Sequence, residues 1–162
     1  MERIQKVSVG GFLLRDGKAL IIRRSEREEQ LAGYYELPGG KVEVGDDPAD
    51  TVEREFHEET GLEVSASEPY FVLSYVHPSN AHRIEIVYLV TSHDRGAVIL
   101  SDEHDEHLWV DADELATCIA SNNVRMTEEM QAIISTGFEV SGRTQKREDD
   151  NAREDEHRTD AL

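Results

Sequence analysis

The sequence predicts an α/β fold in which a mixed β-sheet is packed between helices. Three observations predict it. Apolar-alternating stretches separated by turn signals flank one strongly capped, amphipathic helix. The elements follow the order β-β-β-α-β-β-β-α. The length of 162 residues suits one domain with a real core.

Val7–Arg15 alternates as a strand, and Asp16-Gly17 is a turn signal that leads into a second strand, Ala19–Arg24. Ser25–Gln30 is a charged loop. Tyr34–Leu37 is short and β-prone and is broken by Pro38-Gly39-Gly40. Asp47 is an N-cap with Pro48 at the first helical position; the helix runs to about Thr60 and Gly61 ends it. Pro69–Val76 and Arg83–Thr91 read as strands, and Leu108–Val110 as a short one. Asp111 starts a helix that runs through about Ala120. Thr127–Ser135 is a terminal helix with Met130, Ile133 and Ile134 on its apolar face. Residues 1–140 are expected to form the domain. Residues 141–162 carry twelve charged side chains and only Ala152, Ala161 and Leu162 as apolar ones, so they cannot bury enough surface to offset ordering. Disorder, or at most a frayed charged helix, is expected there.

Charge narrows the partners. Asp plus Glu number 35 against 17 Lys plus Arg, a net charge of −18. Such a surface repels nucleic-acid phosphates and anionic membranes. Of the basic residues only Lys6, Lys18, Lys41 and Lys146 are lysine. Acid excess with little lysine resembles proteins of salt-loving organisms, where ionic strength screens self-repulsion. No apolar run approaches a membrane span and the N-terminus carries no signal pattern, so a cytoplasmic protein is expected. The single cysteine, Cys118, excludes an intrachain disulfide and reads as an inert buried thiol. A homodimer is compatible with all of this.

The chemistry lies in Gly39–Leu62, GGKVEVGDDPADTVEREFHEETGL. Glu55, Glu58 and Glu59 stand at i, i+3 and i+4, on one helical face, while Val52 and Phe56 form an anchoring stripe beside them. Carboxylates packed within one turn raise each other's pKa, and a divalent cation relieves the repulsion. Hard oxygen ligands favour Mg²⁺, with Mn²⁺ as a substitute. Arg54 can orient a carboxylate. Gly39, Gly40 and Gly45 let backbone bend and approach a substrate ahead of a helix N-terminus suited to anions. In a chain this acidic, three glutamates alone would be read as solvated surface. The spacing of the whole segment argues otherwise.

Gly40, Asp46, Arg54, Glu55, Phe56, Glu58, Glu59, Gly61 and Leu62 closely resemble the Nudix box, and Glu36-Leu37-Pro38-Gly39 before it is also family-like. Asp46 departs from the pattern, which usually has Glu there; the charge is kept with one methylene less reach. The resemblance covers about residues 7–136. It implies an α/β/α sandwich and Mg²⁺-dependent hydrolysis of a phosphoanhydride bond in a nucleoside-diphosphate-linked substrate. It further implies Glu55, Glu58 and Glu59 as metal ligands with Gly40 beside them, Arg54 orienting them, Asp46 in support, and Glu36 and Gly39 at the substrate. The general base in the family is a box Glu or a carboxylate from a later loop. Ser101–His107 is placed like that loop, with Glu103 and Glu106 as candidates, Glu106 ahead. His104 and His107 raise a transition-metal site, but no Cys or third His joins them, and none is expected.

Substrate markers are fewer. Pro78 follows Leu62 at a spacing seen in ADP-ribose-hydrolysing members, but Ser79 stands where Gly usually follows. The short single-domain form looks more like MutT-like hydrolases, which convert a nucleoside triphosphate to monophosphate and pyrophosphate. Asn122 and Asn123 resemble the place where such enzymes contact the base, although Asn-Asn is also an ordinary turn. Tyr34, Tyr35 and Phe71 can stack on a base, with packing the commoner role. An ADP-ribose or dinucleoside-polyphosphate hydrolase, or a regulatory domain that binds a nucleotide without cleaving it, stand as alternatives.

Overall fold

The computed structural model describes residues 4–76 and 81–159. Its elements are β1 (Gln5–Arg15), β2 (Lys18–Arg24), β3 (Tyr35–Glu36), β4 (Gly39–Lys41), α1 (Pro48–Thr60), β5 (Ser65–Val76), β6 (His82–Thr91), β7 (His104–Val110), α2 (Ala112–Ala120) and α3 (Glu128–Thr159). Seven strands form one mixed sheet, with β3-β2-β1-β6-β5 as its path, β4 on β1 and β7 on β2. β1 runs parallel to β6, whereas its pairings with β2 and β4 are antiparallel. Asp16 and Gly17 both take positive φ (52° and 78°), the twist that a two-residue hairpin loop requires.

Two apolar clusters lie on the two faces of the sheet. One gathers Phe12, Ile21, Tyr35, Leu37 and Val87 with Leu115 of α2 and Ile133 and Ile134 of α3. The other gathers Val9, Leu13, Leu20, Ile22 and Tyr88 with Val52 and Phe56 of α1. The architecture is therefore the expected sandwich, with α1 on one face and α2 and α3 on the other.

α1 begins and ends as its caps dictate. The Asp47 side chain accepts from Ala49 N (2.8 Å) and Asp50 N (3.4 Å), Pro48 occupies the first turn, and Gly61 closes the helix at φ 72°. Asp111 caps α2 reciprocally with Glu114.

Three elements differ from expectation. Gly39–Lys41, read as a break, is a strand paired with Ser8–Gly10. A side chain at Gly39 would place Cβ 2.0 Å from Val9 O, so only glycine permits the pairing. β7 begins at His104 and absorbs most of the expected acidic loop, because β2 supplies it with hydrogen-bonding partners. α3 continues through the charged segment to Thr159, with residues 142–153 exposed. Strong helix formers and i,i+4 pairs such as Gln145–Asp149 (3.2 Å) hold that stretch, without tertiary burial.

Candidate active site

The start of β4 and the last two turns of α1 face each other. Gly39 N–H donates to Glu59 Oε2 at 2.9 Å. A Cβ on Gly40 would stand 2.5 Å from Glu55 Cδ, so the backbone of β4 rests directly against that carboxylate. Neither glycine has positive φ; their function here is close approach. Gly45, with φ 94° and open space around it, is the one that turns the loop.

Glu59 is 7% exposed. Burial is the main cause that pushes its carboxyl up to about 9, and the Glu36, Glu55 and Glu103 charges push the same way against the Gly39 N–H. Glu55 is also raised, by burial and then by Glu58, with Arg54 opposing. Repulsion within the helix is thus the smaller effect for Glu59; removal from water is the larger. Glu58 is exposed on the same face. Arg54 Nη2 lies 3.2 Å from Asp46 Oδ2, so the shorter Asp46 still reaches the arginine that offsets Glu55.

The segment before β7 brings a further carboxylate. Ile99 N donates to Thr60 O (2.9 Å), Ser101 N to Glu59 O (3.2 Å) and Ser25 N to Glu103 O (2.8 Å). The first two bonds strap the segment across the C-terminal end of α1, and the third ties it to the end of β2. Glu103 and Glu59 carboxylate oxygens and a His104 ring nitrogen lie within 4.8 Å of one another. Glu55, Glu58, Glu59 and Glu103 thus gather with Arg54 opposing the Glu55 charge. The oxygens of these four carboxylates are hard donors, a chemistry that fits a divalent cation.

A NUDIX domain family model matches residues 4–130. The chain belongs to the Nudix family. A MutT-like protein of Streptomyces ambofaciens is 32% identical over 118 residues, spanning 72% of this chain and 71% of the relative. A CTP pyrophosphohydrolase of Escherichia coli is 29% identical over 128 residues, 77% of this chain and 90% of the relative. The crystal structure of a MutT protein from Methanosarcina mazei superposes with a TM-score of 0.66 at 28% identity, covering 90% of this chain and 99% of that one. The protein is a Nudix hydrolase.

Not every residue expected at the site of this Nudix hydrolase is brought there. Glu106, expected ahead of Glu103, points to the opposite face of the sheet. Its Oε2 accepts from Tyr35 OH (2.7 Å) and pairs with Arg23 Nη1 (3.0 Å). The reason is a bulge: Arg23 pairs with Glu106 but Arg24 with His104, so one extra residue on β7 separates their faces. Glu103 takes the place by the cluster instead. Asn122 (φ 60°) and Asn123 are exposed and form the turn after α2; Asn123 Nδ2 bonds Ser121 Oγ at 3.2 Å. The chain just after them returns to β3, next to Glu36. Tyr35 N donates to Arg125 O (2.8 Å), and the Arg125 guanidinium stacks 4.6 Å over the Tyr34 ring. Tyr35 belongs to the core cluster and Phe71 packs against that cluster, while Tyr34 is half-buried. Pro78 lies outside the described residues.

Sequence reasoning missed Arg24 at the site, and it raised His104 only to set it aside. Glu36 Oε1 is held by Arg24 Nη1 and His104 Nε2, both at 3.0 Å. Arg24 sits in a strand pattern that marks it only as an alternating residue. His104 pairs in sequence only with His107, and no local signal places it beside Glu36 and Glu59.

Proposed function

We propose that this Nudix hydrolase cleaves a nucleoside triphosphate to a monophosphate and pyrophosphate with Mg²⁺, small nucleotides being its partners in the cytoplasm. The observation that carries the reading is the buried Glu59 carboxylate gathered with Glu55, Glu58 and Glu103 against the backbone of Gly39 and Gly40. Glu55, Glu58 and Glu59, with Gly40 beside them, would hold the cation. When bound, Mg²⁺ supplies neutralisation of phosphate charge and lowers the pKa of a nearby water.

The chain's own residues supply the rest. The Gly39–Gly40 backbone carries no side chain to obstruct a polyphosphate. Arg54, fixed on Asp46, offsets the Glu55 charge. Glu103 is exposed, and among the described residues its carboxylate makes no ion pair, so a carboxylate oxygen is free to take a proton from the attacking water. Glu106 is engaged by Tyr35 and Arg23 and is not the base in this scheme. At the rim, Asn122, Asn123, Tyr34 and Arg125 would meet the base or sugar. The CTP pyrophosphohydrolase, matched over 90% of its length, supports a triphosphate over ADP-ribose, because the relatives named ADP-ribose pyrophosphatases match over only 32% and 41% of theirs. The net charge of −18 argues against long nucleic acids as substrates.

The test is product analysis after incubation with Mg²⁺ and a panel of nucleoside triphosphates, ADP-ribose and dinucleoside polyphosphates, in low and molar salt. Pyrophosphate release from a triphosphate is expected. Turnover of ADP-ribose alone would replace the substrate, and no turnover of anything would sink the hydrolytic reading.

A further inference from the structure

His104 is the most buried titratable side chain beside the carboxylate cluster, at 4% exposed, and the scheme for hydrolysis gives it no task. Its Nε2 lies 3.0 Å from Glu36 Oε1, the same oxygen that Arg24 Nη1 approaches at 3.0 Å. The carboxylate is the acceptor of both contacts, so the imidazole carries its proton on Nε2. In the neutral ring Nδ1 then keeps a lone pair. That atom is buried and has no partner among the described residues. A ring held through one nitrogen by a carboxylate while the other nitrogen stays bare is the arrangement found around metal-ligating histidines, where the outer carboxylate sets the tautomer and raises the ring's basicity. Arg24 in turn fixes that carboxylate, and Glu28 Oε2 fixes Arg24 Nη2 at 3.0 Å.

The imidazole offers a nitrogen within 4.8 Å of a Glu59 oxygen and a Glu103 oxygen. Nitrogen and oxygen ligands lie about 2.0–2.2 Å from a first-row metal, so two of them are at most about 4.4 Å apart. Glu103 is exposed and can close the difference by side-chain rotation. A nitrogen donor changes what such a site selects. Imidazole adds little for Mg²⁺ but favours first-row transition metals over it.

We propose that Glu59, Glu103 and His104 form a mixed nitrogen–oxygen site that takes a divalent transition metal, Mn²⁺ among them, in preference to Mg²⁺. This rests on the proposed role of Glu59 and deepens it: one part of the cluster is an all-oxygen site and the other carries a nitrogen, with one Glu103 oxygen on the metal and its second oxygen left to act as base. A metal reached through Nδ1, the nitrogen that Glu36 does not engage, would give that orphan atom its partner, with Glu36 and Arg24 as positioning residues for the imidazole.

The experiment uses the full chain, stripped of metal, with Mn²⁺ added alone. Electron spin-echo measurements on bound Mn²⁺ are expected to show coupling to a directly ligated imidazole ¹⁴N, and that coupling should persist in excess Mg²⁺. His104→Gln should lose the coupling and weaken Mn²⁺ binding at least about tenfold while leaving Mg²⁺ binding within about threefold. If His104→Gln does not fold, a His57→Gln, His107→Gln double variant serves instead, and it should keep the coupling. Mn²⁺ bound without ¹⁴N coupling would overturn the proposal and leave the carboxylate reading standing. Coupling that survives His104→Gln, or disappears in the double variant, would also overturn it. Failure to bind Mn²⁺ at all would sink both.

Discussion

Replacing Gly40 with alanine isolates the contact on which the carboxylate geometry depends. Gly40 has no positive φ, so alanine is allowed by the backbone. Its Cβ would stand 2.5 Å from Glu55 Cδ, 2.6 Å from Oε2 and 2.8 Å from Cγ. Restoring van der Waals separation displaces the Glu55 carboxylate by about 1 Å, which a flexible side chain can absorb without unfolding. A misplacement of about 1 Å in a catalytic constellation costs roughly 10²-fold in rate, or about 2.7 kcal/mol of transition-state stabilisation. The assay is steady-state pyrophosphate release across a Mg²⁺ titration, with thermal melting as the control. Gly40→Ala is expected to lose about two orders of magnitude in kcat/KM, with weaker Mg²⁺ dependence and a melting temperature within a few degrees of the parent. Gly39→Ala should behave oppositely. Its Cβ meets Val9 O at 2.0 Å and Gly10 Cα at 2.8 Å, and backbone cannot step aside. Loss of fold comes first there. Full activity and unchanged Mg²⁺ dependence in Gly40→Ala would refute the placement of Glu55 at the metal.

The two later-loop glutamates should separate cleanly. Glu103→Gln is expected to lower kcat by about 10²–10⁴ with folding intact, whereas Glu106→Gln, which loses only a partly exposed ion pair and a tyrosine contact, should change kcat a few-fold at most; equal losses would refute the assignment. Glu59 gives the metal-free protein an unusual pH response. Its carboxyl is raised from 4.5 to about 9, so the folded state keeps a proton that the unfolded chain releases. That contribution to stability is complete below the unfolded value and is lost as the pH rises through about 9, so it declines across the window between. Melting curves in chelator should show this decline, while Mg²⁺ affinity, which requires the ionised carboxylate, should rise between pH 7 and 9; Glu59→Gln should remove both trends, and their persistence there would assign them elsewhere. Truncation after Ser141 removes the exposed residues 142–153 and the remainder of the chain, and is expected to leave the melting temperature within about 2 °C; a larger drop would show that the helical extension packs on something.

The expected β-strand at Pro69–Val76 starts earlier, at Ser65, and the terminal helix expected to end at Ser135 continues to Thr159. Both differences are of extent, not kind. Edge pairing of β5 with β6 tolerates two register shifts and so carries a strand through residues that alternate poorly. A run of charged helix formers needs no core face to remain helical once α3 has been nucleated by packing.

The helix of the box and the shared face of its glutamates were legible in the chain alone, because the signals are local. Asp47, Pro48 and Gly61 act on their own neighbours, and 3.6 residues per turn places Glu55, Glu58 and Glu59 together whatever the rest of the chain does. The family followed from the same local spacing. Which distant groups meet those glutamates was settled only by the fold. Glu103, Glu106 and His104 are near-identical choices in the string Asp102–His107, and a single bulge opposite Arg23 and Arg24 sends Glu106 to one face and His104 to the other. A strand's faces alternate every residue, so one extra residue reverses the outcome, and no local pattern records where it falls. The same holds for Gly39 and Gly40. Their sequence position suggested flexible backbone; the structure shows a neighbouring strand that leaves no room for a side chain at Gly39 and a carboxylate that a side chain at Gly40 would displace.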